Sequence, residues 1–162
     1  MLTRELDHSL FESYSDDIPV ILKRVYAARA VSESQLSMAL PGLLKPSFDQ
    51  LNIALELLEK CILDNQRILI VGDFDADGAT ASAVAIKALR LMGAKHVDFL
   101  VPNRFKHGYG LSPEIVQEAK TEKDPNLIIT VDNGISSNEG AALARSLDID
   151  VIITDHHLPP KV

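Results

Sequence analysis

The 162 residues suffice for one domain with a real core, and their 46% hydrophobic and 24% charged composition is that of a globular protein. A net charge of −7 argues against a nucleic-acid module with a basic face, although bound divalent cations would invert that field locally. A single cysteine rules out an internal disulfide, no apolar run is long enough to cross a bilayer, and "MLTRELDHSL" has no signal-peptide core, so the expected compartment is the cytoplasm.

Residues 1–45 read as a helical lead-in, and 46–162 as the main domain. In "DIPVILKRVYAARA" the residues Ile21, Leu22, Val25 and Tyr26 have helical spacing. "SESQLSMAL" offers a second short helix, and "PGLLKP" breaks the pattern twice. In "PSFDQLNIALELLEKCILDN" the residues Leu51, Ala54, Leu55, Leu58, Cys61 and Ile62 fall on one helical face. Cys61 belongs to that stripe and is expected to be a small buried hydrophobe rather than a nucleophile.

From Arg67 the pattern alternates strand and helix. "RILIVGD" is a strand, and "TASAVAIKALRLMG" a helix with Ala81, Val84, Ala85, Ala88 and Met92 inward and Gly93 just past its end. "HVDFLVP" is the second strand, and "SPEIVQEAK" a helix opened by Ser112 and Pro113. "NLIITVD" is the third strand, "SSNEGAALARSL" a helix and "IDVIITD" the fourth strand. The alternation predicts an α/β fold, a parallel sheet with helices on both faces. The unbroken apolar runs "LIIT" and "VIIT" suit strands buried on both sides.

Three of the four strand-like runs end in acid: "VGDFDADG", "TVDNG" and "ITDHH". In a parallel sheet all C-terminal ends share one edge, where ligands bind. Asp73, Asp75, Asp77, Asp132, Asp155, His156 and His157 are therefore expected to converge. Like charges so close repel, and a folded site that holds them needs a cation. Carboxylate oxygens suit Mg²⁺ or Mn²⁺, and imidazole shifts the preference toward Mn²⁺. Two metals roughly 4 Å apart with a bridging carboxylate would use this many ligands and would suit phosphoester hydrolysis.

"DFDADG" also opens like an EF-hand loop, but position 12 counted from Asp73 is Val84, where a glutamate is needed, and a strand precedes it instead of a helix. Alone, "VDNG" is a turn and "DHH" a helix cap; the argument rests on their shared edge. There is no G-x-G-x-x-G after the first strand, no Walker lysine and no G-x-S-x-G. His8 and His96 look incidental. Between the acids lies "VPNRFKHGYGL". Asn103 and Arg104 follow the second strand to the same edge, where Arg104 could hold a phosphate and Tyr109 stack on a base. His107 is open between phosphate and water.

The order "DFDADG", "VDNG", "DHH" resembles the DHH phosphoesterase superfamily, from about Arg67 to Pro159. "VPNRFKHGYGLSPE" and "TVDNGISS" resemble its bacterial branch of single-strand-specific 5′-to-3′ exonucleases of DNA repair and recombination. The resemblance implies Asp75 and Asp77 as metal ligands, Asp132 as the bridging ligand and His156 as a ligand. It implies Asp73 and Asp155 as ligands or as groups that hold them, and His157 as a contact to the scissile phosphate. "FKHGYG" departs from that branch, which often carries acids before the Gly-Tyr-Gly, so no role follows for Lys106. The resemblance further implies single-stranded DNA as substrate, Mn²⁺ or Mg²⁺ as cofactor and single-strand DNA-binding protein as a partner.

Members of the superfamily continue past "DHH" with another metal-binding aspartate and a second domain across a cleft. The present chain is accordingly expected to be an N-terminal fragment, nearly inactive alone. Two alternatives keep the scaffold: a phosphodiesterase or pyrophosphatase for short oligonucleotides, cyclic dinucleotides or pyrophosphate, and a non-catalytic partner-binding module.

Overall fold

The computed structural model describes residues 4–36 and 50–159, and for Arg104 the backbone alone. The chain divides into two compact units, Met1–Phe48 and Asp49–Val162.

In the first unit, α1 spans His8–Ser13 and α2 spans Val20–Ala27. Asp7 caps α1 by accepting from the amide of Leu10. Among the described residues of this unit, Tyr14, Lys23 and Ala27 are buried. The Lys23 ammonium donates to the Tyr14 carbonyl at 3.2 Å, which satisfies its buried charge in part. The expected apolar stripe points elsewhere: Ile21, Leu22 and Val25 are exposed. Spacing alone does not say which side of an amphipathic helix meets a neighbour. "SESQLSMAL" gives a 3₁₀ turn, Glu33–Leu36; its last residues and "PGLLKP" lie outside the described residues.

The second unit is built on a four-stranded parallel sheet: β1 Arg67–Gly72, β2 His96–Leu100, β3 Leu127–Val131 and β4 Asp150–Thr154, in the order β2-β1-β3-β4. The helices are α3 Leu51–Leu63, α4 Ala76–Leu91, α5 Arg104–His107, α6 Pro113–Glu122 and α7 Asn138–Ser146. Side chains alternate across the central strands. Ile68, Ile70, Leu127, Ile129 and Val131 pack with Cys61 and Leu89, on the face covered by α3 and α4. Leu69, Val71 and Ile128 pack with Ile115, Val116 and Ala144, on the face covered by α6 and α7. Two-sided burial explains why β1 and β3 are apolar without interruption. Cys61 is fully buried in the first cluster, as its place in the stripe implies.

Three packing expectations need correction. In α4, Val84 is 67% and Met92 64% exposed, whereas the buried residues are Gly78, Ser82 and Leu89, with Ala81, Ala85 and Ile86 against the core. The alanines of this helix mark no preferred face, and its first turn instead approaches the end of β1 closely, through Gly78 against Asp73. In α3, Leu55 points outward, and Leu57 packs inward with Leu58 and Ile62. The run "VIIT" forms β4 at the edge of the sheet, so Val151 and Ile152 are half-buried and Ile153 is exposed.

The helix ends follow their sequence signals. The Ser112 hydroxyl accepts from the Ile115 amide with Pro113 in the first turn of α6. Past α4 the Gly93 amide bonds the Arg90 carbonyl and the Ala94 amide bonds the Leu89 carbonyl, a Schellman ending that needs the positive φ of Gly93.

Candidate metal centre

Strand register decides where the acids stand. Gly72 of β1 pairs with Val131 of β3, and Val131 pairs with Thr154 of β4. The next residue on each strand is an aspartate: Asp73, Asp132 and Asp155. Adjacent strands lie about 4.8 Å apart, so three carboxylate-bearing positions line one edge at one level. The chain leaves β1 for β2 on one side and returns to β3 on the other, so the order reverses between β1 and β3. That reversal opens the crevice where doubly wound sheets bind ligands, and Asp73 and Asp132 flank it.

Each acid is held locally. Asp73 is buried, and its Oδ1 accepts from the Phe74 amide at 2.8 Å. Asp75 caps α4, accepting from the amides of Asp77 and Gly78 at 3.1 and 3.0 Å. Asp77 lies exposed in the first turn of α4, where the helix dipole favours negative charge. Gly78 has no alternative at its position: a β-carbon would lie 2.4 Å from the Asp73 carbonyl oxygen.

Asp132 sits in the left-handed region, φ +63°, at the first step of the turn "DNG". Its amide donates to the Thr154 carbonyl at 3.1 Å. Gly134 follows with φ +113°, and a β-carbon there would meet Thr130 Oγ1 at 2.8 Å. Between them Asn133, 1% exposed, donates to the carbonyls of Val71 and Val131 at 3.0 and 2.9 Å. This side chain ties the ends of β1 and β3 together beneath the acids. Read as a sequence, "VDNG" is only a turn, and the role of Asn133 goes unseen because its partners follow only from strand order.

The Asp132, His156 and His157 side chains form a cluster whose ligand-type atoms all lie within 4.8 Å of one another. His156 Nε2 is 2.9 Å from Asp132 Oδ1. His157 Nδ1 is 2.7 Å from Asp155 Oδ1, whose Oδ2 accepts from the Ile135 amide at 2.9 Å. Burial raises the Asp155 carboxyl, but the amides of His157 and Ile135 and the His157 ring outweigh it and hold it below the ordinary range. The same contact raises His157. Tyr109 reaches in from the loop after β2: its hydroxyl is 3.3 Å from both the Asp132 carbonyl and His157 Nδ1. Burial first, then the charges of Asp73, Asp155, Asp132 and Asp75, push its phenol above the ordinary value. Four of the expected acids thus act on one side chain.

The rest of the loop has partners of its own. Asn103 caps the short α5, accepting from the Phe105 amide at 3.0 Å. His107 Nε2 lies 3.2 Å from Glu118 of α6, so it serves the packing of the loop on that helix. The Arg104 side chain lies outside the described residues. His96 is exposed at the start of β2, at the far edge of the sheet.

A parallel sheet with aspartates at the ends of three neighbouring strands and paired histidines beside them defines a class, and the chain belongs to the DHH family, whose N-terminal domain matches residues 67–162. It is 51% identical over 146 residues, 89% of its length, to the single-stranded-DNA-specific exonuclease RecJ of Dickeya dadantii. It also resembles two solved structures. One is exonuclease RecJ bound to manganese (TM-score 0.63, 37% identity, covering 74% of this chain and 30% of that one). The other is RecJ of Thermus thermophilus in complex with Mn²⁺ (TM-score 0.64, 28% identity, covering 95% of this chain and 21% of that one). The chain spans about a quarter of the length of the curated relative.

Proposed function

We propose that this chain is the DHH part of a metal-dependent exonuclease that hydrolyses single-stranded DNA from 5′ to 3′. The observation that carries the reading is the Asp132–His156–His157 cluster beside two further aspartates in strand register. Its likeness to RecJ enzymes supports the substrate class.

The donor set fits a divalent cation: one carboxylate and two imidazoles are gathered, with Asp73 at the neighbouring strand end and Asp75 and Asp77 at the start of α4. Mixed oxygen and nitrogen donors favour Mn²⁺ over Mg²⁺. A bound pair of such cations polarises the phosphodiester and lowers the pKa of water. The protein's own groups prepare the place. Asn133 fixes the level of Asp132 against β1. Asp155 orients the His157 ring, leaving its other nitrogen for a ligand or phosphate oxygen, and Tyr109 steadies that ring from the side. In this reading Asp73, Asp75, Asp77, Asp132, Asp155 and His156 hold metal, His157 meets the phosphate, and Asn103, Arg104 and Tyr109 are the residues that bind the DNA strand.

DNA repair and recombination, a cytoplasmic location and contact with single-strand DNA-binding protein belong to the same proposal. Among the described residues no helix is long and apolar enough to cross a membrane. The test is Mn²⁺-dependent digestion of a 5′-labelled single strand by the protein that contains this sequence. The reading expects release of mononucleotides and at least a hundredfold loss in Asp132→Asn. Equal activity in that variant, or hydrolysis confined to dinucleotides or pyrophosphate, would overturn it.

A further inference from the structure

At the opposite edge of the sheet, the corner where β1 and β2 begin gathers basic side chains. Arg67 and His96 are the paired first residues of β1 and β2, Arg90 and Lys95 flank the turn between α4 and β2, and Lys123 ends α6. These five residues line one cavity of about 460 Å³ together with a single carboxylate, Asp98. The chain as a whole carries 16 basic against 23 acidic residues, so this local excess of cations runs against the balance of the molecule.

Internal pairing does not use the charge up. Arg67 is 2.6 Å from Asp124, and Lys123 is 2.8 Å from Asp98. Arg90 Nη2 donates to the Val97 carbonyl at 3.2 Å, and among the described residues its guanidinium makes no direct ion pair, although it shares the field of Asp98 with Lys123. Lys95 has no ion pair or hydrogen bond among the described residues. The strand ends that hold the aspartates are distant: six residue steps of about 3.3 Å separate Arg67 from Asp73, roughly 20 Å. The Debye length at physiological salt is about 8 Å, so the acidic edge does little to cancel the field here. The volume falls in the range of small-molecule sites, and guanidinium and ammonium groups converging on one space suit phosphate oxygens.

We propose that this cavity at the N-terminal edge of the sheet is a binding site for a phosphate-bearing anion of nucleotide size, with Lys95 and Arg90 as its principal contacts. The phosphate is carried either by a free mononucleotide or by a nucleic-acid strand, and the site does not depend on the hydrolytic reading of the opposite edge.

The test is an NMR titration of the chain in EDTA with three probes: inorganic phosphate, adenosine 5′-monophosphate and a fifteen-nucleotide single strand. Saturable shifts of the Lys95, His96 and Lys123 amides are expected. K95E should weaken the binding at least tenfold, and K95Q several-fold. K87E reverses one charge on an exposed face of α4 outside the cavity and should change it less than twofold. Tighter binding of the strand than of the mononucleotide, lost in K95E, identifies strand phosphates as the ligand; equal binding identifies the free nucleotide. Absence of saturable shifts with all probes, or equal weakening by K87E and K95E, would overturn the proposal. Titration of K95E with Mn²⁺ reports on the acidic edge separately, so failure here is distinguishable from failure of the nuclease reading.

Discussion

Gly78 in the first turn of α4 lies against the backbone of Asp73: a β-carbon on Gly78 would sit 2.4 Å from the Asp73 carbonyl oxygen and 2.6 Å from its carbonyl carbon and amide nitrogen. The aspartate-rich loop is therefore wound tightly around one residue with no side chain. Asp75 caps the helix and Asp73 stays at the strand end because the chain can fold back on itself there.

Gly78→Ala sets this contact against helix propensity. In a free helix the change is worth about 1 kcal/mol in favour of alanine. Here the clash is with backbone atoms, which cannot swing aside, and overpacking costs typically about 1–3 kcal/mol or more. The expected result is a net loss of stability in urea unfolding, with weaker Mn²⁺ binding. A more stable variant would mean that the loop does not approach the helix this closely.

Asn133→Ala should destabilise by about 2–4 kcal/mol, since two buried carbonyls lose their donor at once and each unsatisfied group costs about 1–3 kcal/mol. The side chain also sets the height of Asp132 against β1, so Mn²⁺ affinity should fall although Asn133 touches no metal. Calorimetric titration together with denaturant unfolding checks both. A loss of stability with unchanged metal affinity would separate the strut from the site.

Asp132→Asn separates binding from folding. Without metal the variant removes one of several neighbouring negative charges, and like charges disfavour one another. Its unfolding midpoint in EDTA should be equal to or above that of the parent. In Mn²⁺ it should lose the stabilisation that ligand binding confers on the parent, and affinity by titration should drop at least tenfold. A variant equally stabilised by Mn²⁺ would remove Asp132 from the site.

The pH dependence of the Asp98–Lys123 pair is a further measurement. The Lys123 ammonium and then the Phe99 amide hold the Asp98 carboxyl below the ordinary value. A folded-state pKa below the unfolded one gives stability that is present above about pH 4 and is lost as pH falls through the folded value. Both side chains are partly exposed, so solvent screens the pair and its contribution to stability is small. NMR titration of Asp98 should show the depressed pKa in the parent and an upward shift toward the ordinary value in Lys123→Met. The stability gap between the two should close at low pH.

The strands, their order along the chain and the shared edge of the acids could be read from the sequence because β1 and β3 are continuous apolar runs that end in aspartate. The phase of α4 could not, because alanine gives no preferred face and the deciding contact is Gly78 on Asp73. The role of Asn133 depends on β1 and β3 being neighbours, which no local pattern states. The sequence leaves His107 open between phosphate and water, and its partner, Glu118, eleven positions on, appears only once α6 folds back. The basic cavity stayed hidden for a similar reason: its cations come from the starts of strands and the ends of helices, each of which looks like an ordinary solvated charge.

The pairing of Gly72, Val131 and Thr154 carries a consequence for how such a chain tolerates change. Residues added or removed in the turns between α4 and β2 or between α6 and β3 would leave the strand-end aspartates in place, because those turns lie at the far end of the sheet. A single residue inserted within β3 would send Asp132 toward the wrong face and shift it by about 3.3 Å against its neighbours. The chemistry is thus written in the spacing of the strands and of the two tight turns that leave β1 and β3, and length variation should be rare in both.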